Sequence, residues 1–368
     1  MKRVLFLIKG LGRGGAEQLL VNAARYLDTA EFQYEVAFIL PELDDLVGEL
    51  ERLGIRSYCL GGKRRAKWMP RLRSLVRERK SRIVHAHSPY AAIGARLVLK
   101  RRGGPRLVYT EHNVWESYHL ATRWGNLLTF PLNDHVFAVS HHVAQSIRYP
   151  RALQLLPMPP IETVYHGLDP AAHQQAMTGN GVRKSLGIPD DVPVIGAVSN
   201  FRVEKGHRYL LEAAVHVRRE LPDARFVLVG KGPLEDELRR QTRELRLENN
   251  VIFTGARSDV PRIAASFDVF VLPSIYEGLS IALVEALSIG IPAVVTRTGG
   301  VNEVVSDGVN AVMVPPRDAP ALGHAIVSLL NDPALQRKLT EAGKLRAADF
   351  DIRTAVSRME EVYRELLS

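Results

Sequence analysis

Short apolar runs recur along this chain, and between them lie segments of helical period. The first series is Arg3–Ile8, Tyr34–Leu40, Ile55–Leu60, Arg82–Ala86, Arg106–Thr110 and His135–Val139. The second is Pro193–Ser199, Arg225–Val229, Val251–Phe253, Asp268–Leu272, Pro292–Val295 and Val312–Val314. Runs that are apolar throughout read as strands covered on both faces, the signature of a parallel sheet. The intervening segments, such as Ala16–Leu27 with Leu19, Leu20, Ala23, Ala24 and Leu27 on one side, read as crossover helices. Two such series predict two doubly wound, Rossmann-like α/β domains facing across a cleft. The expected boundaries are 1–170, a polar Gly/Asn-containing linker at 171–192, and 193–351. A ligand is expected between the domains. The 368 residues suffice for two cores.

Several functional classes are excluded by composition. The single cysteine, Cys59, rules out an internal disulfide and a cysteine metal cluster, and its place in an apolar run predicts a buried structural thiol. No run of 18 apolar residues exists, and the apolar part of MKRVLFLIKG is too short for a signal peptide. A cytoplasmic setting is expected. Charge is divided unevenly: residues 1–168 hold 25 Lys and Arg against 14 Asp and Glu, a net +11, while 169–368 hold 24 against 26, a net −2. Lys63 to Arg106 alone carries 15 basic residues and one acid, Glu78. There Arg71, Arg73, Arg77, Lys80 and Arg82 share a stretch with Trp68, Met69, Leu72, Leu75 and Val76, read as a basic amphipathic helix over Trp68–Arg79. Such a segment suits an anionic membrane surface, with a solvated basic face as the plainer alternative. No nucleic-acid-binding motif accompanies it, so nucleic acid is not expected as a partner.

The chemistry concentrates in residues 273–296, PSIYEGLSIALVEALSIGIPAVVT, which read as strand, loop, helix, strand. Gly278 marks the turn, Ser280–Ile289 the helix, and Gly290 its end. The amides of Gly278, Leu279 and Ser280 open that helix and suit an anion. Glu277 and Glu285, eight residues apart, suit hydroxyls, because a carboxylate accepts their hydrogen bonds. Phosphate at one end and hydroxyls beside it describe a nucleotide sugar. Near the N-terminus, Gly10, Gly12 and Gly15 match G-x-G-x-x-G, but the second run ends Leu40-Pro41-Glu42, an awkward place for a ribose-binding acid. His112 follows the run Arg106–Thr110, at the sheet edge where ligands bind, and is either functional or structural.

Gly14-Gly15-Ala16-Glu17, the loop around Arg202 and Lys205-Gly206, Gly230-Lys231-Gly232-Pro233, and Glu277-Gly278-Leu279-Ser280 through Glu285 resemble the retaining GT-B glycosyltransferases of family 4. The Glu-x7-Glu pair is that family's signature, and the resemblance spans nearly the whole chain. It implies that Glu285 binds the donor ribose and Glu277 faces the donor sugar's hydroxyls, with the Gly278, Leu279 and Ser280 amides on sugar and phosphate. Arg202 and Lys205 would neutralise the leaving diphosphate, Gly14 and Gly15 would approach the phosphates, and His112 would stand beside the sugar. Arg257 falls where the family holds the base. Asn200 occupies the position where many members carry the arginine, five before the lysine. The resemblance further implies that residues 352–368 form a helix returning to the first domain.

The function so implied is a hexosyltransferase-type enzyme. It would move a sugar from a UDP- or GDP-linked donor, with retention, to a glycan or lipid-linked acceptor in cell-envelope polysaccharide or glycolipid synthesis. The enzyme would be peripheral on the cytoplasmic membrane. No Asp-x-Asp pair ends a strand, so neither metal nor cofactor is expected, Arg202 and Lys205 taking the ion's place. The rivals are a nucleotide-sugar epimerase using Glu111 and Glu116, a dehydrogenase, and a non-catalytic nucleotide-sugar-binding protein.

Overall fold

Each apolar run forms a strand, and every strand pair is parallel, so each sheet needs helical covers on both faces. The computed structural model describes residues 1–12, 14–62, 67–149, 157–168, 181–257 and 259–368. The start of the basic tract (63–66) and most of the expected linker (171–180) lie outside them. The chain divides into two units, Met1–Gly167 with Ile352–Ser368, and Leu168–Asp351.

The first unit holds a seven-stranded sheet in the order β3-β2-β1-β4-β5-β6-β7. Its strands are β1 Lys2–Ile8, β2 Phe32–Phe38, β3 Arg56–Cys59, β4 Ile83–Ala86, β5 Arg106–Glu111, β6 His135–Ala138 and β7 Ile161–Thr163. The order reverses between β1 and β4, whose register pairs Val4 with Ile83 and Leu7 with Ala86. One face packs on Trp68–Arg79, Pro89–Leu99 and Leu120–Thr129. The other receives Gly15–Ala24 and the C-terminal helix Ile352–Leu367. That last helix buries Ile352, Val356, Met359, Val362 and Tyr363 in the first unit's core. At about 1.5–3 kcal/mol for each large apolar side chain, this contributes on the order of 10 kcal/mol before conformational entropy is charged. Polar contacts fix its register: Tyr34 Oη donates to Glu360 at 2.6 Å, and Tyr363 Oη lies 2.5 Å from His85 Nδ1.

The second unit holds a six-stranded sheet in the order β10-β9-β8-β11-β12-β13. These are β8 Val194–Val198, β9 Arg225–Val229, β10 Val251–Gly255, β11 Val269–Leu272, β12 Ala293–Thr296 and β13 Val312–Val314. Its order reverses between β8 and β11, whose C-terminal ends lead into the loops carrying Lys205 and Glu277. Gly206 is left-handed (φ 66°), and a Cβ there would stand 2.0 Å from the Pro273 carbonyl oxygen. Glycine therefore lets these two loops close on one another.

Three sequence expectations need correction. Cys59 is exposed. It ends β3, an edge strand, where one side has no neighbouring strand to cover it. Residues 181–192 belong to the second unit, because Val182, Ile188 and Val192 are buried and Arg183 binds both Asp268 oxygens at 2.8 Å. The apolar residues of Trp68–Arg79 do not face outward: Trp68, Leu72, Leu75 and Val76 are core residues. That helix can offer a membrane only its basic side. The strand β7, absent from the sequence reading, is a three-residue edge strand with no buried residue to announce it.

Candidate active site

In the second unit the switch point is occupied by an ion pair. Lys205 Nζ stands 2.7 and 2.8 Å from the two carboxylate oxygens of Glu277, and Ser274 Oγ donates to the same carboxylate at 2.9 Å. Glu277 is buried, so the pair stands in a low dielectric where breaking it is costly. The two residues, given separate roles from sequence, are thus one unit here. Arg202 lies three residues before Lys205, is exposed, and pairs with no carboxylate among the described residues. The buried imidazole of His207 underlies this loop, 3.1 Å from Ser199 Oγ; burial pushes it down to about 3, so it stays neutral beside Lys205.

Ser280 caps the helix Ile281–Ser288, its Oγ accepting from Leu283 N. The amides of Gly278, Leu279 and Ser280 donate to no acceptor among the described residues. Gly300, in the loop after β12, presses against them: its N–H donates to the Glu277 carbonyl, and a Cβ would stand 1.6 Å from the Gly278 oxygen. Thr298 Oγ1, nearby in sequence, is buried without a partner among the described residues. Glu285 lies on the capped helix, partly buried, its carboxylate without a hydrogen bond or ion pair among the described residues. Burial alone pushes it up to about 7. Unsatisfied amides, an orphan hydroxyl and a lone carboxylate are groups a polar ligand can complete. Arg257 is not open in this way, since it forms a bidentate pair with Asp259 at 2.8 Å.

In the first unit, Gly14 is the N-cap of Gly15–Ala24, and a Cβ there would meet Glu17 Oε2 at 2.2 Å. A Cβ on Gly15 would meet nothing within 4 Å, so that backbone is open to a ligand. Gly10 serves packing instead, held against Leu43. His112 follows β5, and its Nε2 lies 3.3 Å from His87 Nδ1. The His166 ring is 6.1 Å away. These three imidazoles line one small depression with Leu19, Leu20, Val356 and Met359. Burial lowers all three, so they are neutral near pH 7. His87 and His166 escaped the sequence reading; the available signal was that each ends a segment reaching the same sheet edge as His112. Glu111 is saturated, accepting from Tyr109 Oη, Trp115 Nε1 and Tyr118 Oη. It is thereby a structural anchor rather than a free acid, which removes the better half of the epimerase pair.

Two doubly wound units, the second with a cation–carboxylate pair and unbonded amides at its switch point, define a GT-B architecture. The comparisons agree. The model described as Glycosyltransferase Family 4 matches residues 13–172, and that described as Glycosyl transferases group 1 matches 181–346. The chain is 30% identical over 298 residues to a GDP-mannose-dependent alpha-(1-6)-phosphatidylinositol monomannoside mannosyltransferase of Mycolicibacterium smegmatis, covering 75% of this chain and 74% of the relative. It is 26% identical to an Escherichia coli UDP-Gal:alpha-D-GlcNAc-diphosphoundecaprenol alpha-1,3-galactosyltransferase, over 80% of this chain and 78% of the relative. HepE of Anabaena, solved with UDP and glucose, has the same fold at a TM-score of 0.84 and 22% identity, covering 99% of this chain and 100% of that one. The chain therefore belongs to the family 4 glycosyltransferases and is a glycosyltransferase.

Proposed function

We propose that the enzyme transfers a sugar from a UDP- or GDP-linked donor, with retention and without a metal, to a glycan or lipid-linked acceptor of the cell envelope. The observation that carries this reading is the Lys205–Glu277 pair beside three unbonded amides at the second unit's switch point. A nucleoside diphosphate gains negative charge as the glycosidic bond breaks. Preorganised cations and amides stabilise that charge, one such donor contributing about 3–4 kcal/mol. Arg202, with no carboxylate partner among the described residues, meets the diphosphate; Lys205 shares its charge between diphosphate and Glu277. Glu277, oriented by Ser274 and Lys205, accepts from the donor sugar's hydroxyls. Glu285 accepts from ribose hydroxyls, which offer the hydrogen bonds that its carboxylate lacks. The first unit takes the acceptor and contributes neutral His112. The Mycolicibacterium and Escherichia relatives, named for GDP-mannose with a phosphatidylinositol mannoside and for UDP-Gal with a diphosphoundecaprenol acceptor, support the donor and acceptor classes.

The test is turnover of a panel of UDP- and GDP-sugars with polyprenyl-diphosphate glycans, in chelator, with the product's anomeric configuration read by NMR. Retained configuration and unchanged rate in chelator are expected. Inversion, or activity restored only by Mg²⁺ or Mn²⁺, would overturn the corresponding half. Epimerised donor appearing without acceptor would mark the rival enzyme.

A further inference from the structure

The helix Leu120–Thr129 buries Asn126, Leu127 and Thr129 and leaves three large apolar residues outside. Arg96, fully buried on Pro89–Leu99, donates to Asn126 Oδ1 at 2.6 Å and to Thr129 Oγ1 at 3.2 Å. Gly125 admits the Ile93 side chain between the two helices. So locked, the helix presents Leu120, Trp124 and Leu128, spaced four residues apart, at 73%, 56% and 63% exposure. Leu97, on the neighbouring helix, is 62% exposed. A soluble surface places single apolar residues outside, but a stripe with a neighbour to extend it marks a contact.

The charge around the stripe says what it contacts. Arg123 is exposed on the same helix, Arg101 and Arg102 follow Pro89–Leu99, and Arg73 and Arg77 project from Trp68–Arg79, which packs against Pro89–Leu99. The three helices carry a single acid, Glu78. We propose that this layer docks on an anionic bilayer, with Leu120, Trp124 and Leu128 inserted at the headgroup–acyl boundary and the arginines on lipid phosphates. Apolar insertion and basic attraction together are what hold an interfacial helix, and tryptophan favours that depth. The helix Trp68–Arg79, from which the sequence suggested amphipathic insertion, supplies only charge, because its apolar side is spent on the core. The proposal stands on this surface alone and is independent of the acceptor reading.

The molecule carries its own reporter. Of the three tryptophans, Trp68 and Trp115 are 3% and 2% exposed, so solvent-accessible emission belongs to Trp124. The full-length protein is mixed with phosphatidylcholine vesicles, with and without phosphatidylglycerol, and with acyl chains brominated near the headgroup. Expected are flotation with the anionic vesicles only, a blue shift, and quenching by the brominated lipid. Leu120→Ser, Trp124→Ser and Leu128→Ser together should lower partitioning about tenfold or more, at an unchanged melting temperature because the buried side is untouched. Flotation without quenching in the wild type would reduce the contact to simple charge attraction and overturn the insertion. No flotation, or a vesicle-free dimer that shields Trp124 from acrylamide, would overturn the bilayer as partner.

Discussion

The C-terminal edges of the two sheets solve the same topological problem with opposite chemistry. Both place their loops at a strand-order reversal. The second unit fills that place with charge: Lys205 against Glu277 and, among the described residues, Arg202 without a carboxylate partner and amides without acceptors. The first fills it with His87, His112 and His166, all neutral, against Leu19, Leu20 and Met359. Two similar scaffolds thus carry different chemistry at the same place through a few loop residues, charged in one and neutral and partly apolar in the other.

The sharpest way to separate the units is to remove Ile352–Ser368. The helix buries five large side chains in the first unit only, so its loss should cost on the order of 10 kcal/mol there. Hydrogen exchange should show β1–β7 unprotected while β8–β13 stay protected. Retained protection in the first sheet would mean that this helix is dispensable.

Next comes the ion pair. Lys205→Ala removes a cation and leaves Glu277 buried alone, which should destabilise by about 3–5 kcal/mol and lower kcat about 10²–10³-fold. Adding Glu277→Gln should restore the melting temperature without restoring activity. Recovery of both would reduce the pair to a structural strut.

Acid should destabilise the first unit more than the second, where His207, pushed down to about 3, and Glu285, pushed up to about 7, act in opposite directions. The buried imidazoles His85 and His87 of the first unit are lowered from an ordinary 6.5. Between pH 7.5 and 5.5 the unfolded chain therefore takes up protons that the folded unit refuses, and stability falls. Glu285, raised from 4.5 to about 7, prefers to be protonated when folded. Its contribution in the second unit rises as pH falls through 7, by about 2 kcal/mol after allowing for partial exposure. Unit-resolved exchange, corrected for intrinsic pH dependence, should show β1–β7 losing protection relative to β8–β13. Glu285→Gln should remove the compensating rise and leave the second unit only the loss that His207 brings.

A smaller contrast lies in two glycines. Gly15→Ala meets open space and should leave the melting temperature within about 1 °C, raising only KM. Gly300→Ala collides with the Gly278 carbonyl and should both lower stability and weaken nucleotide binding. Equal effects would contradict the assigned openness of Gly15.

Much of this was legible because parallel strands, buried on both faces, leave continuous apolar runs, and the loops that follow them carry the polar residues. Edge strands betray themselves poorly: Cys59 read as buried, and β7 was not read at all. The Lys205–Glu277 contact spans 72 positions, and no local pattern announces it. His87 and His166 were hidden for the same reason, since only the sheet brings β4, β5 and β7 to one edge. The exposed Leu120, Trp124 and Leu128 have a core helix's spacing, and only the Arg96 lock shows which side faces out.

Nucleotide binding by the second unit is the point on which the rest depends, and isothermal calorimetry with UDP and GDP, in chelator, addresses it. One of the two should bind selectively, with affinity weakening as pH falls below 7 where Glu285 gains its proton, and Glu285→Ala should abolish the heat. No binding of either nucleotide to the folded protein, or undiminished binding in Glu285→Ala, would contradict the assignment of this switch point as the donor site.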